Sequence, residues 1–464
     1  FVEYLATDRR EEGWEAANAL ASVALVGLIA LSVLLALIAP LIMRLLTIGV
    51  DNPGVRAQEI ALGSRFLRLF SPQIALYGAG MVMTGALHAH RRFVLPAVAP
   101  IFNNVVVIGV YLTYAAMRGS RPPTLGGITG AEAFVLGAGT TLGVVAMTVA
   151  LIPQLARLGW RFRWRFTPSH PAVRKGARLG IWALGYAGGY QAGLIVVLML
   201  ANRVEGGVAA YQWAYTFFYL PHALFAVPIF NVLFTVMSEH AVRGQGADFL
   251  ERMREGLGML AFLLVPIAAV LVAVAHPLAR VTLQYGVMTG SGAALVARVV
   301  MAFAVGLPAY SAFLVFTRAF YANGDTKTPA LINAATMVVA SVAGAAFFVV
   351  AGDSGDWAVP GLALGHSVAF TIGTLVMART FGRRSGALGG TKLNASILRT
   401  LSGAVAALAV MLVVASLIGG DTRQGALIEL VATAGAGVVV YGGVSTWMRS
   451  PELRRLIALA RSGR

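Results

Sequence analysis

Long apolar runs alternate with short polar turns along the whole chain. Twelve such runs lie near 17–46, 62–89, 94–117, 130–156, 176–202, 206–238, 256–283, 291–321, 328–351, 357–382, 396–419 and 424–448. Each exceeds the roughly 20 residues that a helix needs to cross a bilayer and the roughly 10 of a membrane strand, and lipid admits only helices or closed barrels. The pattern predicts an all-α polytopic membrane protein with twelve spans. One turn, RAFYANGDTKTP from Arg318 to Pro329, can be read residue by residue. Ala319 to Ala322 form a last helical turn, and Asn323 and Gly324 suit the left-handed conformation that closes a helix. Asp325 or Thr326 then caps the next helix, with Pro329 in its first turn.

The turn occurs twice. ALHAHRRFVLPA (Ala86 to Ala97) and AFYANGDTKTPA (Ala319 to Ala330) align without a gap, pairing Pro96 with Pro329 at an offset of 233. PLIMRLLTIGV from Pro40 and PLARVTLQYGV from Pro277 align at an offset of 237. A period near 235 residues is the mark of two homologous lobes. The division expected from it is a first lobe over 1–165, a six-span second lobe over 166–390, and an appended helix pair with a basic tail over 391–464. The first lobe's turn follows its second span, the second lobe's its fourth, so two further spans are expected before Phe1.

Composition agrees with membrane placement: 58% of residues are hydrophobic and 12% charged, with a mean hydropathy of +0.77, against about half and about a quarter in soluble domains. Cys is absent, which excludes disulfides, thiol nucleophiles and Cys metal sites. The net charge of +17 is concentrated in alternate loops, including Arg91 and Arg92, Arg157 to Lys175, and Arg383, Arg384 and Lys392. By the excess of Lys and Arg in cytoplasmic loops, both chain ends and the Arg318–Pro329 turn face the cytoplasm. The excess therefore gives no argument for nucleic acid. The last residues, Arg449 to Arg464, read as a basic amphipathic segment drawn to anionic lipid headgroups.

Ionisable groups inside spans are candidates for function because burying them is costly. Arg298 lies about two turns inside the eighth run and is assigned to a cavity. Arg65 and Arg68 open the second run, where they face a cavity or snorkel. Glu132 and Glu429, near span ends, read as interfacial. Asn103, Asn104, Gln191 and Asn333 suit hydrogen bonds between helices. His222 and His366 have no second His or carboxylate at ligand spacing, so no metal site is expected. No Walker loop or serine triad is present, and nothing argues for an enzyme. Pro72, Pro221, Pro228, Pro266 and Pro308, with Gly185, Gly188, Gly189 and Gly193, bend or break helices where a pathway or close packing permits it.

RAFYANGDTKTP, LQYGVMT (Leu283 to Thr289), GALHAHRRFVLPAVAPIFNN (Gly85 to Asn104) and YLPHALFAVPIFNVLFTVMSEH (Tyr219 to His240) together resemble the MurJ (MviN) family. The family belongs to the superfamily of multidrug, oligosaccharidyl-lipid and polysaccharide exporters. The resemblance implies a V-shaped bundle of two lobes in the bacterial cytoplasmic (inner) membrane. It also implies a monomeric flippase that carries lipid II, an undecaprenyl-diphosphate-linked muropeptide, outward for cell-wall synthesis by alternating access. Partners on this reading are lipid II, membrane lipids and cell-wall synthesis or division proteins. No cofactor is implied beyond a coupling ion, H+ or Na+.

The substrate-binding candidates are Arg298, Arg68, Gln191, Arg318 and Arg65, because a diphosphate in a low-dielectric cavity needs guanidinium partners. Asp325, Lys327, Gly324, Arg91 and Arg92 are the gate or hinge candidates. The chain departs from the family at Tyr215 and Thr216, where many members carry an acidic-basic pair, and at Gly344, where some have an Asn that helps bind sodium. Two alternatives follow: another exporter of the superfamily, for drugs or polysaccharide lipids, or a non-transporting paralogue that scaffolds cell-wall proteins.

Overall fold

The computed structural model describes residues 10–90, 92–122, 124–160, 162–171, 173–174, 188, 191, 193–286, 288–352, 355–386, 391–419 and 422–462. Among the described residues the regular structure is helical, without strands, and ten helices are long and apolar enough to cross a membrane. The fifth run, 176–202, lies largely outside the described residues, as do Gly185 and Gly189. The chain divides into two compact units, Phe1–Gly185 and Tyr186–Arg464.

The first unit contains α1 (Arg10–Leu46), α2 (Pro53–Phe70), α3 (Gln73–Ala89), α4 (Val94–Arg118), α5 (Gly130–Val149) and the short α6 (Ile152–Arg157). The predicted run 62–89 is in fact two helices. α2 starts earlier, capped by Asn52 Oδ1, which accepts from the Gly54 and Val55 N–H groups at 2.9 and 3.2 Å. It stops at Ser71 because Pro72 has no N–H to continue the ladder, and α3 begins at Gln73.

The second unit contains helical residues 193–201 (α7), α8 (Gly207–Pro221), a π-helical turn (His222–Ala226), α9 (Val227–Val242) and α10 (Gly246–Leu283). α11 (Gly290–Ala322), α12 (Lys327–Ala351) and α13 (Ala358–Ser385) follow, then α14 (Thr391–Ile418), α15 (Arg423–Trp447) and the amphipathic α16 (Pro451–Ser462). α11 passes through Pro308, and α10 through Pro266 and Pro277, without interruption.

The repeat is present bond for bond. α4 and α12 start at residues 233 apart, Val94 and Lys327, and end 233 apart, Arg118 and Ala351. The turns before them close alike: the Arg92 N–H donates to Leu87 O and the Asp325 N–H to Phe320 O, both at 2.9 Å. His90 Nδ1 meets Ala86 O at 2.8 Å, and Asn323 Nδ2, 233 residues on, donates to Ala319 O at 3.0 Å. Between helices, Thr141 Oγ1 donates to Leu69 O at 2.7 Å and Thr148 Oγ1 to Leu76 O at 3.4 Å. Ser367 Oγ and Thr374 Oγ1 make the corresponding bonds to Ala302 O and Ala309 O, each at 2.7 Å. Each unit thus packs its last repeat helix, α5 or α13, onto the span that precedes the repeated turn, α2 and α3 in the first unit and α11 in the second, through hydroxyls one heptad apart.

The second unit holds the larger core. Phe218, Phe303, Phe313 and Phe348 are fully buried between α8, α11, α12 and α13. Lipid tails are as apolar as these side chains, so the gain comes from dispersion and close fit rather than escape from water. Fit is enforced by glycine: a Cβ on Gly365 would stand 2.2 Å from Gly344 N, and one on Gly306 would stand 2.6 Å from Ser367 Cα. α14 and α15 pack on α10, where Tyr441 Oη donates to Phe262 O at 2.8 Å. The outer faces carry exposed apolar residues such as Leu37, Val350, Leu417 and Val439, as lipid contact requires.

Candidate substrate and gate residues

The turn between α11 and α12 is a Schellman closure. Gly324 adopts φ +75°, its N–H donates to Tyr321 O at 2.9 Å, and the Asp325 N–H reaches back to Phe320. Asn323 stays on the right-handed side at φ −88°, so Gly324 alone takes the left-handed position there. Asp325 Oδ1 accepts the Thr328 N–H at 2.9 Å and caps α12, while Thr326 makes no side-chain cap. Its Oδ2 accepts from Arg384 Nη1 at 2.6 Å, and the same nitrogen donates to Thr328 Oγ1 at 3.0 Å. Burial works to raise the Asp325 carboxyl, but the bonds from Thr328 and Arg384 outweigh it and hold the group below its ordinary value. Lys327 is exposed at the start of α12, and Arg92 is exposed after α3. Arg91 lies outside the described residues.

Arg318 precedes this turn on α11. Its guanidinium stands over the rings of Phe230 and Phe234 of α9, at 5.7 and 5.6 Å from their centroids. Arg298 sits near the other end of α11, 20 residues away, which is about 30 Å along a helix. There its Nη2 pairs with Asp356 Oδ1 at 3.0 Å, while its buried Nε has no partner among the described residues. Arg298 and Arg318 therefore belong to opposite ends of the second unit rather than to one cluster.

In the first unit, Arg65 Nη2 donates to Gly130 O at 3.1 Å and Arg68 Nε to Ala36 O at 3.4 Å. Both side chains are exposed, and Arg68 borders an open apolar groove between α1, α3 and α5. Gln191 is exposed on a helical residue at the start of the second unit. Among the described residues, no group of three His, Asp or Glu could hold a metal ion.

Two features escape the sequence reading. Glu132 packs against the protein's own loop: it is 1% exposed and accepts from Arg118 Nη1 and Arg121 Nη2, each at 3.0 Å. Arg118 is also buried and donates to the carbonyls of Arg121, Pro122 and Gly127, fastening the loop between α4 and α5. Glu132 closes a capping box with Thr129, a Thr-x-x-Glu signal legible in the sequence. Arg384, the partner of Asp325, lies 59 residues from it and gives no local signal.

A family model described as "Lipid II flippase MurJ" matches residues 1–434. A probable lipid II flippase MurJ of Rhizobium tropici is 26% identical over 386 residues, covering 83% of this chain and 70% of that protein. One from Synechocystis is 26% identical over 283 residues, 60% of this chain and 52% of its own length. The lipid II flippase MurJ of Burkholderia cenocepacia is 24% identical over 364 residues, 76% of this chain and 68% of its own. Among solved structures, a lipid II flippase MurJ in an inward closed conformation superposes with a TM-score of 0.74 at 19% identity, covering 96% of this chain and 85% of that one. An inward-facing multidrug transporter of the MATE family superposes at 0.65 and 13% identity, covering 82% and 84%. At these identities the structural likenesses establish the fold.

Proposed function

The chain belongs to the Lipid II flippase MurJ family, and on that premise we propose that it carries the lipid-linked peptidoglycan precursor across the bacterial cytoplasmic membrane. The single observation that carries this reading is the family match, which runs over residues 1–434 rather than over one hydrophobic segment. The protein acts as a transporter and not as an enzyme. Both ends of the chain and the Asp325 turn face the cytoplasm, in keeping with the excess of Arg in those loops.

The chemistry required is recognition of a diphosphate, which calls for guanidinium groups able to exchange partners. Arg318 meets that need: it rests on two phenylalanine faces and makes no ion pair among the described residues. A cation held over rings keeps its hydrogen-bond donors for an anion. Arg298 is held by Asp356, a carboxylate whose side chain is 77% exposed. A substrate phosphate arriving at that end of α11 competes with Asp356 for the same donors. Arg65, Arg68 and Gln191 extend the candidate set to the first unit and to the start of the second. At the opposite end, Asp325 and Arg384 join the α11–α12 turn to the end of α13 and act as a latch rather than on substrate.

Complementation tests the reading. The full-length gene should restore growth and lipid II export to a bacterium depleted of its own flippase, and Arg318→Ala should lower export at unchanged membrane level. Failure of the well-expressed wild type would overturn the proposal. Protection from cationic drugs with no effect on cell-wall synthesis would instead assign a drug exporter.

A further inference from the structure

The loop after α6 alternates aromatic and basic residues: Trp160, Arg161, Phe162, Arg163, Trp164, Arg165 and Phe166. In an extended segment that period puts the rings on one edge and the arginines on the other. The rings follow the rule, with centroids 6.2 Å apart for Trp160 and Phe162 and 6.3 Å for Phe162 and Trp164. Arg161 lies outside the described residues. Two bonds fasten the segment along α1: Trp160 Nε1 donates to Asn18 Oδ1 at 3.1 Å, and the Arg165 N–H to Ser22 Oγ at 2.9 Å. Trp14 stacks on Trp160 with centroids 6.3 Å apart. The apolar part of α1, Trp14–Leu46, has 33 residues. It is therefore about 50 Å long, against a hydrocarbon core of about 30 Å. Its first turns, with Glu15, stand outside that core, and the aromatic segment lies at the boundary, where tryptophan collects.

Two cavities adjoin through this segment. One, of about 330 Å³, is an apolar slot between α1, α3 and α6, lined by Ala24, Leu28, Ala79 and Val82 and closed by Trp160 and Phe162. The other, of about 570 Å³, is a polar recess holding Trp14, Glu15, Asn18, Arg163, Trp164 and Arg165. Arg163 makes no ion pair among the described residues. Arg165 Nη1 holds Glu15 Oε1 at 2.8 Å in an exposed pair, which a competing anion can open. The repeat shows which way the slot faces. The offset of 237 carries Ala21 and Leu25 of α1 to Gly258 and Phe262 of α10, both within unbroken helices. A Cβ on Gly258 would stand 3.6 Å from Ser396 Oγ of α14, and Phe262 packs on Tyr441 of α15 at 5.3 Å between centroids. α14 and α15 lie outside the repeat, so the matching face of α1 is an outer face, turned to lipid.

We propose that slot and recess together bind one anionic glycerophospholipid of the cytoplasmic leaflet. Its phosphodiester pairs with Arg163 and Arg165, and an acyl chain enters the slot behind Trp160 and Phe162. An apolar slot beside two guanidiniums fits a molecule with one charged end and one apolar end, and a guanidinium suits phosphate geometry. The cytoplasmic leaflet is the one rich in anionic lipid, and the loop 157–175 faces it by its own charge. The site lies in the first unit, apart from Arg298 and Arg318, and binding there requires no transport. It holds the loop through which the chain passes from the first unit to the second against the membrane surface.

Brominated lipid tests the site, because bromine on an acyl chain quenches a tryptophan in contact with it. Full-length protein in phosphatidylcholine nanodiscs is exposed to rising fractions of dibrominated phosphatidylglycerol or dibrominated phosphatidylcholine. The contribution of Trp160 is taken as the difference between wild type and Trp160→Phe. Phosphatidylglycerol should quench it at a lower mole fraction. Each arginine near an anionic surface is worth about 5-fold in binding, so Arg163→Gln with Arg165→Gln should weaken the phosphatidylglycerol effect about 10-fold or more. The corresponding double lysine variant should keep most of it. Ala79→Leu, which fills the slot, should remove quenching while the thermal midpoint holds, and Arg454→Gln in α16 should change nothing. Equal quenching by the two lipids, a preference that survives the double glutamine variant, or the same loss from Arg454→Gln would overturn the site. Displacement by undecaprenyl phosphate at a lower fraction than by unbrominated phosphatidylglycerol would overturn the assignment to a glycerophospholipid.

Discussion

Buried charge decides the largest single-residue effects. Removing Glu132 leaves the Arg118 guanidinium, only 5% exposed, without the carboxylate it pairs with, and breaking such a pair by deleting one partner is destabilising. Glu132→Ala should therefore lower the thermal midpoint sharply, whereas Glu132→Leu combined with Arg118→Met should recover most of it. Equal loss in the double variant would show that the arginine's carbonyl contacts, not the pair, hold the loop. Carboxylates outside the membrane set the acid response. Burial tends to raise Glu452 of α16, but the hydroxyls of Ser396 and Ser450, at 2.5 and 2.7 Å, keep it below the ordinary glutamate value. Asp325 is lowered too, so both carboxyls stabilise the fold above their unfolded values and lose that contribution as pH falls through the folded ones. Stability should decline in acid below about pH 4, and Asp325→Asn with Glu452→Gln should flatten that decline in a melting series. The Asp325 cap was legible because Asn-Gly-Asp spells a helix stop and start. Its pairing with Arg384 was not, because contacts between distant helices leave no local pattern.

Helices in lipid are held by shape, and the structure names where shape is tightest. α12 and α13 approach at Gly344 and Gly365, but the two glycines are not equivalent. An added Cβ at Gly365 meets backbone atoms at 2.2 and 2.4 Å, whereas one at Gly344 meets its nearest neighbours at 3.4 Å. Gly365→Ala should push the helices apart at about 1–3 kcal/mol or more, while Gly344→Ala should be nearly neutral. Thermal unfolding in detergent checks the order, and equal effects would mean that α13 shifts to relieve the clash. The same helices show what periodicity conveys. Run lengths and the 233-residue offset gave α4 and α12 with matching ends, because helix stops are written in Gly, Asn and Pro. Pro72 and Pro308 were both read as prolines that bend or break a helix; Pro72 ends α2, whereas Pro308, in the corresponding stretch of α11, sits inside an unbroken helix. Whether a proline interrupts depends on its neighbours.

For the molecule as a whole, the distribution of charge predicts which ends of the helices face the cytoplasm. Arg92, Arg243, Lys327 and Arg383 mark one set of turns; the loops at 119–129, 284–289 and 352–357 belong to the other. The chain contains no cysteine, so single cysteines can be introduced without removing any native thiol. Thr326 and Gln245 are exposed at turns of the first set, and Leu125 and Tyr285 at loops of the second. Each is replaced in turn by cysteine in intact cells and treated with a membrane-impermeant maleimide. Leu125→Cys and Tyr285→Cys should label from outside, and Thr326→Cys and Gln245→Cys only after permeabilisation. The reverse pattern would invert the transporter and place Asp325 and Arg384 on the releasing side of the membrane. A mixed pattern would contradict the helix count, because each undetected span flips every loop beyond it. The fifth run, 176–202, lies between Leu125 and Gln245. Opposite labelling of those two positions requires an odd number of crossings between them, and α5 with α8–α9 supplies two, so the result decides whether 176–202 adds the third.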